Sequence, residues 1–256
     1  MKNSTISPKI KWSLEIAVGI GIWLAIWQIF AVRENNSFLF PDIPSTLSAL
    51  GEIIRTGEFV KTVSSTLIRV LIGLGSGIAA GGVLAVLSHH LSFVKAFLAP
   101  ILSVIKATPV ASFIIILWIK MDGGELAIFI AFMMVMPIIW QNLIDGYNSI
   151  DRSLSEVCIC YEFSFIKRLR VLVIPNLIRY LIPGIVTATG LAWKSEIAAE
   201  IIAYTRDSIG QNINDAKFNM DSPTVFAWTL IVIALSIALE LIAKLILWRC
   251  KKWASN

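Results

Sequence analysis

The residues best suited to do chemistry lie near the end of one long apolar run, in the sequence GLAWKSEIAAEII. Lys194, Glu196 and Glu200 fall there within two helical turns. On a helix, Glu196 and Glu200 are i,i+4 neighbours, whereas Lys194 and Glu200 lie on different faces. Because two adjacent carboxylates repel each other, we expect one to hold a proton or to pair with a lysine from another helix. Three roles stay open: lining a solute path, forming a structural ion pair, or emerging at the outer membrane interface.

A second set of polar residues accompanies prolines in two other apolar runs. Lys106 and Thr108 precede Pro109, and Gln141 and Asn142 follow a further proline. A proline kinks a helix and frees a backbone carbonyl, and a lysine at membrane depth is costly unless it faces protein or water. We therefore predict a polar translocation path through a membrane, lined by Lys106, Thr108, Gln141, Asn142, Lys194, Glu196 and Glu200.

Residues for catalysis or metal binding are sparse. His89 and His90 are adjacent, so they point to different helix faces, and no serine lies in a G-x-S-x-G turn. Cys158 and Cys160 form a C-x-C pair without an accompanying histidine or second cysteine pair, and Cys250 stands alone. The phosphate-binding sequence G-x-x-x-x-G-K-[ST] does not occur either. We therefore predict no catalytic residue, no metal site and no cofactor bound by this chain.

Composition assigns the chain to the membrane proteins. Apolar side chains make up 57% of its 256 residues and charged side chains 15%, against about a quarter charged in soluble domains. A helix needs roughly 20 mostly apolar residues to span a bilayer. The windows long enough to do so are about 12–33, 60–87, 92–120, 125–147, 176–203 and 224–249. The predicted fold class is all-α, a polytopic membrane protein with about six transmembrane helices.

The positive charges predict the orientation of these helices. An even number of spans puts both termini on the same side of the membrane. Lysine and arginine are more numerous in the loops on that side, which indicates the cytoplasm. The residues concerned are Lys2, Lys9, Lys11, Lys95, Arg152, Lys167, Arg168, Arg170, Arg249, Lys251 and Lys252. Since the net charge of +5 is spread over span ends and loops instead of one face, no nucleic-acid partner is expected.

The spans and loops suggest a division of the chain. Residues 1–58 are assigned to an N-terminal transmembrane helix plus an external interfacial segment, and residues 59–249 to a core transmembrane domain that contains the loop 151–175. Residues 250–256 are assigned to a cytoplasmic tail. An amphipathic helix on the outer surface is predicted by the helical spacing of Leu47, Leu50 and Ile54.

Small residues form a stripe in the second span. Gly73, Gly77 and Gly81 recur every four residues, with Gly75 and Ala79 beside them. Small residues let membrane helices approach closely, which matters because lipid gives no hydrophobic driving force between helices. The stripe therefore predicts close packing with another helix, and a pore-lining role is the alternative.

Residues 151–175 form the only long polar segment with a basic excess between two apolar regions. Ser153, with Glu156 three residues later, has the spacing of a capping box and predicts a helix start. An apolar face is predicted by the helical spacing of Leu154, Val157, Cys158 and Tyr161. Pro175 is expected to end this helical segment. We interpret the segment as a cytoplasmic loop that a partner protein can grip.

The same segment resembles the cytoplasmic EAA loop of ABC-importer permeases, E-A-A-x3-G-x9-I-x-L-P. Glu156 and Pro175 match this pattern, and conservative replacements stand at Val157, Cys158, Leu172 and Ile174. Glu162 stands where the loop usually has glycine. Since glutamate is disfavoured at positive φ, we expect the usual turn after the first helix to be altered there.

Further signatures extend the resemblance over nearly the whole chain. In chain order they are Phe40-Pro41 with Pro44, Ser65 to Val70, Lys106 to Pro109, Glu156 to Pro175, Ala192 to Lys194, and Ala199-Glu200. This ordered set is similar to the nitrate/sulfonate/taurine type of inner-membrane permease. The resemblance implies a fold like that of type I ABC-importer permeases.

The resemblance also implies partners and roles. It describes a multi-pass subunit of the bacterial inner membrane that forms a solute pathway as a dimer, in the simplest case a homodimer. Two cytosolic ATPase subunits would hold ATP and Mg, and an extracytoplasmic solute-binding protein would deliver a small anion such as a sulfonate, nitrate or taurine. The implied ATPase-coupling residues are Glu156, Val157, Cys158, Tyr161, Glu162, Phe163, Ser164, Phe165 and Pro175.

Other functions compete with this interpretation. A heterocyclic vitamin precursor is compatible as cargo with the same sequence. A secondary transporter or channel would work without ATP, but such proteins often carry internal repeats, and the sequence has no convincing one. A membrane-embedded enzyme would need nucleophile and base pairs or metal ligands at membrane depth, which the sequence does not offer.

Overall fold

The computed structural model describes residues 8–34 and 40–254, and this part of the chain is built from helices. In chain order these are α1 (Pro8–Glu34), α2 (Ile43–Arg55), α3 (Phe59–His90), α4 (Ser92–Ala107), α5 (Val110–Trp118), α6 (Gly123–Asn148), α7 (Arg152–Cys160), α8 (Phe165–Arg168), a π-helical turn (Leu169–Val173), α9 (Ile174–Ala203), α10 (Ile209–Phe218) and α11 (Ser222–Ala254). The predicted all-α class is confirmed. The predicted tail is helical as far as Ala254, and residues 255–256 lie outside the described part.

Five helices in the described part are long and apolar enough to cross a membrane, and a bent pair could supply a sixth. The bent pair is the third predicted window, in which α4 and α5 meet at 98°. Thr108 lies at the bend with φ −82° and ψ 133°, and Pro109 follows it. A residue before proline is driven out of the helical region, which is why α4 ends there. Pro100, by contrast, lies inside α4.

The chain forms two compact units, of which the first combines the N-terminal part through Phe59 with Asn212–Ile231. Aromatic side chains join its segments, with Phe226 packed on Trp27 and edge-on to Phe40. Trp27 also donates its indole N–H to the Pro41 carbonyl at 2.9 Å. The helix predicted for this segment is observed as α2, and its place at the membrane interface stays a prediction.

Asp42 caps the N-terminus of α2. Its carboxylate accepts a hydrogen bond from the Ser45 N–H at 3.1 Å and another from the Ser45 hydroxyl. These two bonds, the hydroxyl bond first, lower the pKa of Asp42 below its ordinary value. The cap satisfies a backbone donor that would otherwise have no partner in the first turn of the helix.

The second unit, Val60–Gln211 with Val232–Asn256, is organised around α6. The glycine stripe of α3 packs on α6: an added Cβ would lie 2.6 Å from Ala131 Cβ at Gly73 and 2.6 Å from Val135 Cβ at Gly77. Gly75 faces away and has no such neighbour within 4 Å. The predicted close packing is therefore observed, because only a residue without a side chain fits these positions.

On its other side α6 packs against α9 and α5. Six buried residues form this core: Ile114, Leu126, Ala127, Ile130, Ala199 and Ala203. Many of them are alanine, which again brings helix backbones close together. This packing fixes the last turns of α9, and with them the carboxylates of Glu196 and Glu200.

Candidate functional site

The segment 151–175, predicted to be a cytoplasmic loop that binds a partner protein, begins with helix α7. The residue that caps this helix differs from the predicted one. The carboxylate of Asp151 accepts a hydrogen bond from the Ser153 N–H at 2.8 Å. Ser153 therefore lies inside the first turn instead of capping it, so the predicted capping box with Glu156 is wrong. Aspartate is among the strongest N-cap residues, and here it precedes the serine by two positions.

Glu162 ends α7 in the conformation that was expected of glycine. Its φ is 49°, in the left-handed region. The Glu162 N–H donates to the Ile159 carbonyl at 2.9 Å, and the Phe163 N–H donates to the Cys158 carbonyl at 2.9 Å. This pair of bonds is a Schellman motif, which satisfies carbonyls left unpaired at the helix end. The expectation of an altered turn was therefore wrong, since the motif imposes positive φ on a glutamate.

Pro175 does not end the helical segment, contrary to the prediction. Residues Phe165–Ala203 form one continuous helical run, and Pro175 sits in the first turn of α9, directly after the π-helical turn. Proline has no N–H to donate to the preceding turn, and here it stands where the backbone bonding changes from the π-helical to the α-helical pattern.

Large apolar side chains are exposed along α7 and into α8. Their exposed fractions range from 47% to 74%. We call this set the handle surface: Leu154, Val157, Ile159, Tyr161, Phe165 and Ile166. Cys158 is the buried member of the predicted apolar face. The surface is bordered by charge, since Glu156 and Glu162 are exposed and Lys167 lies 3.9 Å above the Phe163 ring.

Ser164 connects the two helices of the segment. Its hydroxyl accepts a hydrogen bond from the Lys167 N–H at 3.4 Å, which caps the start of α8. The predicted coupling residues therefore lie together along one short helix–turn–helix unit, from Glu156 to Phe165, with Pro175 further along the helical run that begins at Phe165. Their role in binding an ATPase stays a prediction.

The buried carboxylate of Glu200 is held by residues from α3 and α10. Arg69 Nη1 donates to Glu200 Oε1 at 2.8 Å, and Thr66 Oγ1 donates to the same oxygen at 2.9 Å. The Gly210 N–H donates to Glu200 Oε2 at 3.1 Å. Glu200 has no exposed surface, and the Arg69 side chain is only 17% exposed. A charge at this depth is tolerated because each carboxylate oxygen has a donor.

The same residues fix the chain that follows α9. The second guanidinium nitrogen, Arg69 Nη2, donates to the Arg206 carbonyl at 3.1 Å, and the Ile209 N–H donates to Thr66 Oγ1 at 3.2 Å. A Cβ at Gly210 would collide with Glu200, so this approach requires glycine. The Glu200 cluster, consisting of Thr66, Arg69, Glu200 and Gly210, therefore joins three helices of one unit.

The sequence prediction missed Arg69 as the partner of Glu200 and expected a lysine. The signal was present, because Arg69 is a charged residue in the middle of an apolar window and such residues seek a partner. Guanidinium suits the site better than ammonium, since its planar group reaches both the carboxylate and the Arg206 carbonyl. Of the open roles for Glu200, the structure contains the structural ion pair.

Glu196, one helical turn before Glu200, is fully buried, and both its carboxylate oxygens lack a hydrogen-bond partner within the described residues. Lys194, unlike Glu196, is exposed. Of the three residues named first in the sequence, Lys194 therefore lies apart, whereas Glu196 and Glu200 are buried next to each other. Within the described residues no set of three or more histidine, cysteine or acidic side chains is arranged to hold a metal ion.

The other predicted path residues occupy separate positions. Lys106 is exposed at the end of α4, and Thr108 donates its hydroxyl hydrogen to the Val104 carbonyl at 2.8 Å. On α6, Gln141 donates to Asp145 at 3.0 Å and Asn142 donates to the Ile138 carbonyl at 2.8 Å. All four polar groups are exposed or only partly buried, and their place on a solute path stays a prediction.

One exposed ion pair lies beyond the Glu200 cluster. Lys61 Nζ is 2.9 Å from Asp207 Oδ1, with both side chains more than half exposed. The hydrogen bond from Lys61, with the attraction of its charge, lowers the pKa of Asp207. Solvent screens this pair, so it holds the segment after α9 much less firmly than Arg69 does.

The chain is similar to known permease proteins. The chain is 22% identical over 91% of its length to a putative aliphatic sulfonates transport permease protein of Bacillus subtilis, and the match covers 85% of that protein. It is 27% identical to the nitrate import permease protein of Synechococcus elongatus, covering 77% of this chain and 74% of the relative. It is 23% identical to the riboflavin transport system permease protein of Chloroflexus aurantiacus, covering 98% and 97%.

A solved structure shares the fold. The crystal structure of an amino acid ABC transporter with histidines superposes with a TM-score of 0.60 at 13% identity, covering 76% of this chain and 92% of the other. The family model described as "Binding-protein-dependent transport system inner membrane component" matches residues 77–252. This range includes α7, the handle surface and Glu200. The chain belongs to the family of binding-protein-dependent transport system inner membrane components, and it is a non-catalytic, multi-pass permease subunit of an ABC importer.

Proposed function

We propose that this permease forms the solute pathway as a dimer and is driven by cytosolic ATPase subunits that dock on the handle surface. The observation that carries the proposal is the exposure of large apolar side chains on a segment that is otherwise rich in charge. Clustered apolar side chains of this kind mark interaction sites. Tyr161 and Phe165, each 74% exposed, are the aromatic anchors expected of such an interface.

Movement of the docked segment would be transmitted directly to the membrane helices. A short turn joins α7 to Phe165, and from Phe165 the chain continues through α8 and the π-helical turn into α9 without a break in helical structure. Glu200, near the far end of this helical run, is bound to Arg69 of α3. A displacement of α7 by the ATPase would therefore move α9 and, through the ion pair, α3. Such a linked shift of packed helices is one form of alternating access.

The solute pathway is proposed to run along the exposed polar side chains of Lys106 and Lys194, and Thr108, Gln141 and Asn142 are its further proposed lining residues. Their positive charges favour an anion, which agrees with sulfonate and nitrate as cargo of two relatives. Glu196 and Glu200 have no exposed surface in the single chain. Their part in the pathway is then indirect, through the positions of α3 and α9.

Reconstitution tests the cargo. The permease is placed in liposomes with its ATPase and its solute-binding protein, and ATP turnover is measured with taurine, an alkanesulfonate, nitrate or riboflavin. An anion importer gives faster ATP turnover with a sulfonate or nitrate and no response to riboflavin. Uptake that proceeds equally well without ATP would instead identify a secondary transporter or channel.

A vitamin-type cargo is the second candidate function. It is favoured by the riboflavin permease of Chloroflexus aurantiacus, whose match to this chain is nearly end to end. Riboflavin carries no net charge, so its transport would not depend on the two exposed lysines. Lys106→Gln together with Lys194→Gln would slow anion-stimulated turnover and leave riboflavin-stimulated turnover unchanged.

A further inference from the structure

A groove lies where three membrane helices end. It has a volume of about 410 Å³, within the usual range for small-molecule sites. Its walls come from the last turn of α3, the end of α6 with Ile150 after it, Ser155 of α7 and the first turns of the helical run that begins at Phe165. Because these are the ends of membrane-spanning helices, the groove lies at the depth of the lipid headgroups.

The lining of the groove combines two kinds of side chain. His90 and Arg168 are basic, and His89 is stacked on Tyr147 at a centroid distance of 4.0 Å. The apolar residues of the lining are Ile150, Phe165, Leu169 and Val173, of which Phe165 also belongs to the handle surface. Such an amphipathic groove suits a ligand with an anionic head and a hydrocarbon tail.

The basic character extends past the histidine pair. A second cavity of about 310 Å³ shares His89 and His90 as lining residues and adds Lys95 and two serines. No acidic side chain lines either cavity in the described part of the chain. Arg168 forms no salt bridge with another described residue and is exposed. Its charge is therefore available to an external anion.

The helical run that begins at Phe165 contains its π-helical turn at the groove. Leu169 and Val173, the first and last residues of the π-helical turn, both line the groove. A π-helical turn is wider than an α-helical one and occurs frequently at functional sites. Four residues apart, the two side chains extend the apolar wall along the helix toward the membrane interior, where an acyl chain would lie.

We propose that this groove binds an anionic phospholipid, with its phosphate at Arg168 and His90 and an acyl chain along Leu169 and Val173. Basic pockets between membrane helices are typical sites for anionic headgroups. The protein is embedded in a bilayer that contains anionic phospholipid, so the ligand is always available. The bound lipid would fill the space behind α7 and α8 and hold the handle surface in position. This site is separate from the proposed solute path and does not depend on the identity of the cargo.

Lipid counting on the full chain tests the headgroup contact. The protein is purified in a neutral detergent and titrated with phosphatidylglycerol or phosphatidylcholine, and bound lipids are counted by native mass spectrometry. Arg168→Gln should weaken phosphatidylglycerol binding about fivefold, the effect of one interfacial positive charge. Arg170→Gln is the matched control: it removes the same charge two residues away from an exposed position outside the groove, and it should change nothing.

A second variant tests the acyl chain contact without changing charge. Leu169→Trp fills the apolar side of the groove and should reduce phosphatidylglycerol binding as strongly as Arg168→Gln, with the melting temperature in neutral detergent unchanged. Equal losses in Arg168→Gln and Arg170→Gln would overturn the proposal, because they would indicate diffuse surface attraction. Full competition by soluble glycerol phosphate would overturn it too, because it would identify a site for a free anion.

Discussion

Arg69 of α3 and Glu200 of α9 are joined by a buried ion pair of 2.8 Å between residues 131 positions apart in the chain. Thr66 and the Gly210 N–H complete the hydrogen bonding of the carboxylate. The pair therefore connects the helix that carries the glycine stripe to the helix that continues from the handle surface. Its contribution to the stability of the protein can be compared with that of an exposed ion pair.

Arg69→Met should lower stability strongly, because it leaves Glu200 buried without its cation. Breaking a buried pair on one side costs about 3 to 5 kcal/mol. The measurement is the melting temperature of the full chain in detergent. Lys61→Met, which breaks the exposed pair with Asp207, is the control and should have little effect on stability, because solvent screens that pair. A double variant, Arg69→Met with Glu200→Leu, should be more stable than Arg69→Met alone; a further loss in the double variant would contradict this account of the pair.

Within the glycine stripe, alanine substitutions at Gly77 and Gly75 should have different effects on stability. Gly77→Ala should destabilise the protein by about 1 to 3 kcal/mol, because the added methyl group collides with Val135 on α6. Gly75→Ala should be neutral or stabilising by up to about 1 kcal/mol, since its side chain enters open space and alanine favours helix. Thermal unfolding of the two variants compares them directly. Equal destabilisation would mean that α3 and α6 do not pack along this stripe.

Glu162 provides a test of the turn after α7. Glu162→Gly should stabilise the turn by about 1 kcal/mol, because glycine adopts positive φ without steric cost. Glu156→Gly, the same substitution inside α7, should cost about 1 kcal/mol through loss of helix propensity. Resistance of the loop to limited proteolysis and the melting temperature report both changes. A loss of stability in Glu162→Gly would show that the glutamate side chain has a stabilising contact of its own.

The Asp42 cap predicts a dependence on pH. Since hydrogen bonding lowers its pKa in the folded protein, the charged cap contributes stability in full well above the ordinary value of 3.8. This contribution is lost as the pH falls through the lower folded value. Asp42→Asn keeps an acceptor oxygen without the charge, so wild type should be the more stable of the two at pH 7 and lose this advantage as the pH falls below 3.8 and through the lower folded value. Melting curves across this range measure the difference, and a constant difference would contradict the assignment.

The sequence predicted those features that depend on local pattern. The glycine stripe, the helix of the gripped loop and the break at Pro109 follow from spacing and from the conformational limits of glycine and proline. The partner of Glu200 could not be predicted in this way, because Arg69 and Gly210 reach it from distant parts of the chain. Pro175 was misjudged because the π-helical turn before it changes which carbonyls need a partner. Glu162 was misjudged because a Schellman motif can impose positive φ on a residue that disfavours it.

The central claim is that the handle surface transmits the work of an ATPase to the membrane helices. The most direct test is solute-stimulated ATP turnover of the reconstituted importer after replacing Glu156 together with Tyr161–Phe165 by alanine, with membrane insertion measured in parallel. We predict normal insertion, loss of the stimulation by solute, and loss of copurification with the ATPase. Wild-type stimulation in this variant would contradict the claim.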